Sequence, residues 1–489
     1  MLNEYTLEKA NDFIQNNNVE SSFYPKFNFA APIGWINDPN GVSIFNHEIH
    51  LFYQYYPYDS VHGKMHWGHA KSKDGYQWED LEVALAPDQP YDKDGVFSGS
   101  AIKKDGKLYL MYSGHVVNDE GEIRETQNIA ISEDGINFEK YENNPVLDEK
   151  DVPEGSSIVD FRDPKVFERE GKYYAVIGSK TEDQKGQVLL YVSEDLLKWA
   201  FQSVILPHNK FLGDMVECPD LLLFENKDVF LLSAMNYTDE KTGEFYPHIS
   251  WIIEGKVDWT TFVFDVHSIR KMDGGFDFYA PQTSLLSTQP NEYLAIAWQQ
   301  AWNRTLPSHD LNHKWAGQMT IPRLLREQDG KIIQKPYPSI EKDLEMVEKH
   351  ENLHVTPSWK RKFTEDYLES EIDSSAELEI ILSNENNEEL ILNIDGPKQE
   401  VSFDRQNTMK IADQKGKPFD QINYPIPTQK KNWTIKCFVD RSSLQVFIND
   451  EYTLTSTFYT ETPLDKLTLN SQKQTLVHHL KIGKLGTEN

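Results

Sequence analysis

All-β folding is what this sequence predicts, and three observations predict it. Aromatic residues make up 12% of the 489 positions, and they gather in short runs of the kind that fill strands. A strand-like pattern recurs five times, at Glu48–Tyr55, Gly106–Gly114, Gly171–Ser179, Lys227–Met235 and Asn291–Gln299, with starts separated by 58, 65, 56 and 64 residues. A second motif, Ser-x-Asp followed two to four residues later by an aromatic side chain, begins at Ser72, Ser132 and Ser193. A period near 60 is too long for a solenoid unit but suits a four-stranded blade with generous loops. The expected architecture is therefore a five-bladed β-propeller.

Taken in order, residues 1–24 open with Leu2, Tyr5, Leu7, Phe13 and Ile14 at helical spacing, which predicts a short amphipathic N-terminal helix. Residues 25–335 carry the five repeats. Residues 336–352 follow the proline-marked Lys335–Ser339 and read as a linker. Residues 353–489 return to alternating runs such as Leu378–Leu382 and Leu390–Ile394, which predicts a second β-domain.

The formal net charge of −29 excludes nucleic acid and anionic membrane surfaces as natural partners, because both would repel the chain. The beginning of the sequence lacks a basic region ahead of an apolar run, and no later segment reaches bilayer-spanning length. Two cysteines, Cys218 and Cys437, fall in different predicted domains, so no disulfide framework is expected. These features together predict a cytoplasmic protein acting on a small neutral molecule, whether as monomer or homodimer.

Each strand pattern is preceded, about ten residues earlier, by a polar turn-like segment. In a propeller, equivalent positions of every blade face the central axis, so these segments should converge. Three of them deliver an acid: Asp38, Asp163 and Glu217. Carboxylates meeting in one pocket suit glycoside hydrolysis, in which one attacks and another protonates the departing oxygen. Asp38, held before Pro39 in a constrained turn, is the expected nucleophile. Glu217, flanked by the other acids and by Cys218 and Pro219, is the expected proton donor. Asp163, beside Arg162, is expected to stay ionised and hold sugar hydroxyls. No metal or cofactor is expected, since His62, His66 and His69 lack a ligand spacing that strand geometry would bring together. Trp35, Trp67, Phe97 and Trp298 are candidate faces for a sugar ring, and Gln54 is a polar residue in an otherwise aromatic strand.

The segments WINDPNG (Trp35–Gly41), LFYQY (Leu51–Tyr55), WGHA (Trp67–Ala70), FSGSA (Phe97–Ala101), FRDP (Phe161–Pro164), ECPD (Glu217–Asp220) and DFYAPQ (Asp277–Gln282) together resemble glycoside hydrolase family 32. This is the family of invertases, sucrose-6-phosphate hydrolases and fructan hydrolases. The resemblance implies a five-bladed propeller with an appended β-sandwich, and retention of configuration through a covalent fructosyl-enzyme. Asp38 would be the nucleophile, Glu217 the acid/base and Asp163 the transition-state stabiliser. It also implies that Asn37, Gln54, Trp67, Phe97, Ser98, Arg162, Asp277 and Trp298 line the fructosyl subsite or its rim. The tail segment Cys437–Asn449 resembles the family's sandwich signature, with Gln445 where a Glu is usual.

The reaction expected is hydrolysis of a terminal β-D-fructofuranosyl bond, of sucrose 6-phosphate or sucrose, with a fructan exo-hydrolase as the close alternative. A cluster of His62, Lys64, His66 and Arg124 is a candidate reader of a sugar phosphate, with an ordinary solvated loop as the favoured alternative. An inverting glycosidase and a carbohydrate-binding propeller without turnover are the rivals, the first distinguished by a wider carboxyl separation.

Overall fold

In the computed structural model, residues 4–286 and 292–486 are described. Leu2 and Asn291, named above, lie outside them. The N-terminal segment forms the helix Leu7–Gln15, capped by the Thr6 hydroxyl, which accepts from the Lys9 amide at 3.3 Å. Its apolar face carries Leu7, Ala10 and Ile14 onto the first sheet.

Five antiparallel sheets follow. Their first strands are Gly34–Phe45, Gly95–Lys104, Ser156–Arg169, Met215–Leu223 and Tyr279–Leu285. Each of these strands touches the first strand of the next sheet, and the fifth touches the first, so the five sheets form a closed propeller. Closure is reinforced by Trp315–Ala316, which pairs in parallel with Gly34–Trp35 and adds a strand from the end of the propeller to its first sheet. Strands that pack against neighbouring sheets on both faces are buried along their whole length, as in Gly34–Phe45, rather than alternating.

The Ser-x-Asp motif is the turn that follows the third strand of a sheet. Ser72 Oγ accepts from Gly75 N at 2.8 Å, while Asp74 Oδ1 accepts from Tyr76 N and Gln77 N. Ser132 with Asp134, and Ser193 with Asp195, build the same turn. The position that adopts positive φ is glycine in the first two copies and Leu196, at φ 74°, in the third.

The second domain is a sandwich of two six-stranded sheets. Here the alternation predicted from sequence is present, as in Glu377–Ser383 and Glu389–Asp395, whose inward residues fill a single apolar core. The expected linker 336–352 is different in the structure. It holds the short helix Pro338–Lys342 and most of the strand Leu344–Val355, which pairs with Thr475–Leu485 and belongs to the sandwich. Its charged residues misled the sequence reading because an edge strand exposes them. Among the described residues, no helix is long and apolar enough to cross a membrane.

The two domains are joined by buried polar contacts. Asp440 accepts from the amides of Lys26, Phe27 and Asn28. Gln445, the departure from the usual Glu, accepts from Ile321 N at 3.1 Å and donates to Asn28 Oδ1 at 3.0 Å.

Candidate active site

The site is made by an irregularity repeated around the ring. In four of the five first strands, two residues stand opposite one on the neighbouring strand: Asn37–Asp38, Asp163–Pro164, Cys218–Pro219 and Ala280–Pro281. The strand Gly95–Lys104 has its own register break at Ser98. A bulge leaves an unpaired residue and re-aims its side chain, and proline fits there because it has no ladder N–H to lose. Asp38 also precedes a proline, Pro39. Asp163, Cys218 and Ala280 take positive φ of 63°, 47° and 51°. In the second strand the residue after Ser98 must be glycine, since a Cβ at Gly99 would lie 2.0 Å from the Met111 carbonyl oxygen.

These bulges aim Asp38, Asp163 and Glu217 into one cavity of about 350 Å³, together with Asn37, Gln54, Phe97, Ser98 and Arg162. The acids meet around Cys218. Its thiol lies 3.6 Å from Asp38 Oδ2 and 3.7 Å from Asp163 Oδ2, and its amide donates to Asp163 Oδ2 at 3.0 Å. Ser98 Oγ donates to Asp38 Oδ2 at 2.8 Å, while Asp38 Oδ1 is buried with no protein partner. Glu217 is gripped at both oxygens: Arg162 Nη2 reaches Oε1 at 3.1 Å and the Tyr279 hydroxyl donates to Oε2 at 2.7 Å.

Arg162 therefore does not act as expected. Its guanidinium bridges Asp160, Glu125 and Glu217 rather than clasping the neighbouring Asp163. Burial, with the added repulsion of Glu217 and Asp38, pushes Asp163 up to about 8 against the pull of Arg162. Burial first, and then Glu217, push Asp38 up to about 6. The expectation that Asp163 is kept ionised by Arg162 is thus corrected: the cluster of acids retains a proton near neutrality.

Four expected lining residues stand elsewhere. Trp67 is fully buried and supports the cavity from behind, its indole N–H donating to the Phe97 carbonyl at 3.0 Å. Trp35 is 6% exposed and donates to Asn37 Oδ1 at 2.8 Å, orienting the residue before Asp38. Trp298 is fully buried and packs edge-on against Trp35. Asp277 is buried at the domain junction, where Arg405 Nη1 meets its Oδ2 at 2.6 Å and Arg304 meets its Oδ1. The candidate phosphate-reading cluster does not assemble. Only His62 lines the cavity; Lys64 pairs with Asp94, His66 is fully buried, and Arg124 pairs with Glu122 and Glu149.

Sequence reasoning missed His115, Glu125, Asp160 and Trp302, all of which line the cavity. His115 stacks on Phe97 at 4.2 Å between ring centres. Glu125 accepts from the Phe161 amide at 3.0 Å and so fixes the strand that carries Arg162. Their signal was weak: His115 and Glu125 come from second and third strands and Trp302 from a loop, while Asp160 lies in a first strand but just ahead of the recurring segment Phe161–Pro164.

The model for the glycosyl hydrolases family 32 N-terminal domain matches residues 28–336, and that for the family 32 C-terminal domain matches residues 338–483. The chain belongs to glycosyl hydrolase family 32. Among its relatives is a sucrose-6-phosphate hydrolase of Zymomonas mobilis, 37% identical over 454 residues that cover 89% of this chain and 86% of that protein. A sucrose-6-phosphate hydrolase of Escherichia coli is 33% identical, covering 95% of this chain and 96% of its own. In three dimensions, the family 32 β-fructofuranosidase of Bombyx mori is similar with a TM-score of 0.84 and 30% identity, covering 98% of this chain and 97% of that one. A mutant of the Bombyx enzyme has been solved in complex with sucrose.

Proposed function

We propose that this family 32 chain is a β-fructofuranosidase that hydrolyses the terminal fructosyl bond of sucrose and sucrose 6-phosphate. The observation that carries the reading is the meeting of three carboxyls from separate strands, with two of them 3.6 and 3.7 Å from one thiol and the third gripped by Arg162 and Tyr279. The names of the relatives in Zymomonas, Escherichia and Bombyx support the substrate class.

The free oxygen of Asp38 attacks the anomeric carbon C2 of the fructosyl unit. The bond from C2 to the bridging oxygen breaks, and Glu217 gives that oxygen its proton. Water, deprotonated by Glu217, then attacks C2 and releases Asp38. Asp163 accepts hydrogen bonds from ring hydroxyls as positive charge develops on the sugar. Tyr279 and Arg162 hold Glu217 in line with the departing oxygen, and Asn37 and Gln54 meet the remaining hydroxyls. The phosphorylated substrate arises by phosphorylating import, which favours a cytoplasmic location.

Following the product by NMR tests the mechanism: retention gives β-fructofuranose as the first anomer, and its replacement by the α anomer rejects Asp38 as nucleophile. Comparing kcat/KM on sucrose, sucrose 6-phosphate and a fructan trimer tests the substrate. Preference for the trimer would shift the reading to a fructan exo-hydrolase.

A further inference from the structure

Glu217 has to carry a proton to the departing oxygen, yet both of its own oxygens accept from donors that favour its anion. Arg162 Nη2 donates to Oε1 at 3.1 Å and the Tyr279 hydroxyl to Oε2 at 2.7 Å. An arginine given wholly to this acid would make it a poor proton donor. The surroundings of Arg162 resolve the conflict.

Glu125, on the strand Ile123–Ser132, reaches the same guanidinium from the neighbouring sheet, its Oε2 accepting from Arg162 Nη1 at 3.4 Å. Its side chain is 3% exposed, so water does not meet its charge. The same oxygen takes the Phe161 amide at 3.0 Å, which pins the carboxylate beside Arg162, and the other oxygen faces His115 Nδ1 at 3.5 Å. On the opposite flank, Asp160 Oδ1 accepts from Nη1 at 3.0 Å while Lys180 meets its Oδ2 at 2.8 Å. Asp160 has a lysine of its own; Glu125 has none. Against its own burial, Glu125 first and Glu217 second hold Arg162 in its charged form. What the guanidinium gives to Glu125 it withholds from Glu217.

The other groups facing Glu217 leave that competition in place. Asp38 and Asp163 repel it, the Cys218 thiol is held neutral by burial, and His248, edge-on to Tyr279 at 5.4 Å, is pushed by burial down to about 4 and is neutral too. Among the described residues, Arg162 is the cation in contact with Glu217. We propose that Glu125 is a positioning residue for proton transfer: by sharing Arg162 it keeps Glu217 a proton donor while leaving it aligned. This rests on the β-fructofuranosidase reading and deepens it at the acid.

Two substitutions at one position separate charge from support. Glu125→Gln keeps an oxygen for the Phe161 amide and removes the charge, whereas Glu125→Asp keeps the charge on a shorter arm. With sucrose as substrate, Glu125→Gln moves the alkaline limb of the kcat/KM profile down by about half a pH unit or more. Turnover on that side then falls about threefold, while KM changes by less than about twofold. Glu125→Asp restores most of the position of the limb. A role in support alone predicts the reverse order, with Gln like the wild type and Asp the more damaged, and that order overturns the proposal. Asp160→Asn, which takes a second charge from the same guanidinium, moves the limb the same way; a limb unmoved in both amide variants, or moved upward, overturns it as well. Wild-type enzyme that failed to hydrolyse sucrose would remove the parent reading along with this one, whereas wild-type turnover with an unmoved limb overturns this one alone.

Discussion

Two groups of buried acids in this chain have opposite fates. At the domain junction, burial alone would raise Asp277, but Arg405 and Arg304 hold it below the ordinary carboxylate range, and Thr457 donates to it through both its amide and its hydroxyl. Nearby, Asp273 forms an ion pair with Arg323 at 2.8 Å and accepts from the amide and hydroxyl of Thr455. In the cavity, Asp38 and Asp163 are as deeply buried, but the hydrogen bonds to their carboxyls come from Ser98 and Cys218 with no cation in direct contact, Glu217 adds its repulsion, and both are pushed upward. The difference is one of compensation, and it separates an acid that fastens from one that reacts.

The signs of linkage follow. A carboxyl held low in the folded chain contributes stability above the ordinary carboxylate range and loses it as pH falls through its folded value. One held high is most compatible with folding at low pH and opposes it as pH rises toward its folded value. The two groups therefore pull the stability of the protein in opposite directions across the acid range.

The contrast is broken most forcefully by removing a reactive acid. Asp38→Asn and Glu217→Gln each lower kcat by roughly 10⁴-fold. Asp38→Asn holds or raises the melting temperature at pH 8, because an uncompensated charge has gone; retained activity in either variant would refute the assignment. Next comes a fastening partner. Arg405→Met leaves Asp277 half-compensated and lowers stability by about 3–5 kcal/mol, measured by urea unfolding. A loss below about 1 kcal/mol would show that the junction tolerates the charge.

A smaller effect is expected where the two groups meet in kind. Arg162 is the one guanidinium lining the cavity among the described residues, and it pairs with three acids. Arg162→Lys loses the planar fork and with it the alignment of Glu217, so kcat falls about 10²-fold while KM changes less. The finest comparison is in pH. The profile of kcat/KM rises through about 6, as Asp38 sheds its proton, and falls on the alkaline side, as the coupled acids give up the proton that Glu217 passes to the leaving oxygen. A profile flat from 5 to 9 would contradict the coupling.

Much of this was legible from residues alone. The recurrence of strand pattern and turn placed Asp38, Asp163 and Glu217 at equivalent positions, and equivalence was enough to bring them together. Asp277 shows the limit of that reasoning. It occupies the matching place in the fifth repeat, yet its partner Arg405 lies 128 residues away in the other domain, and no local pattern announces such a pair. Arg162 shows another limit, since adjacency along a bulged strand does not make Asp163 its partner. Trp35, Trp67 and Trp298 stand behind the cavity rather than in its lining, because a ring that supports a wall and a ring that forms it have the same composition. Trp302 carried no repeat signal at all, being defined by a loop.

The register breaks in the first strands carry a consequence for how such an enzyme can diversify. One residue gained or lost beside a break would turn every side chain beyond it to the opposite face, scrambling nucleophile and core at once. Length variation is thus barred from the floor of the funnel and confined to the segments at its mouth. A descendant of this chain can acquire a new appetite by redrawing its lip, while its bite stays as it was.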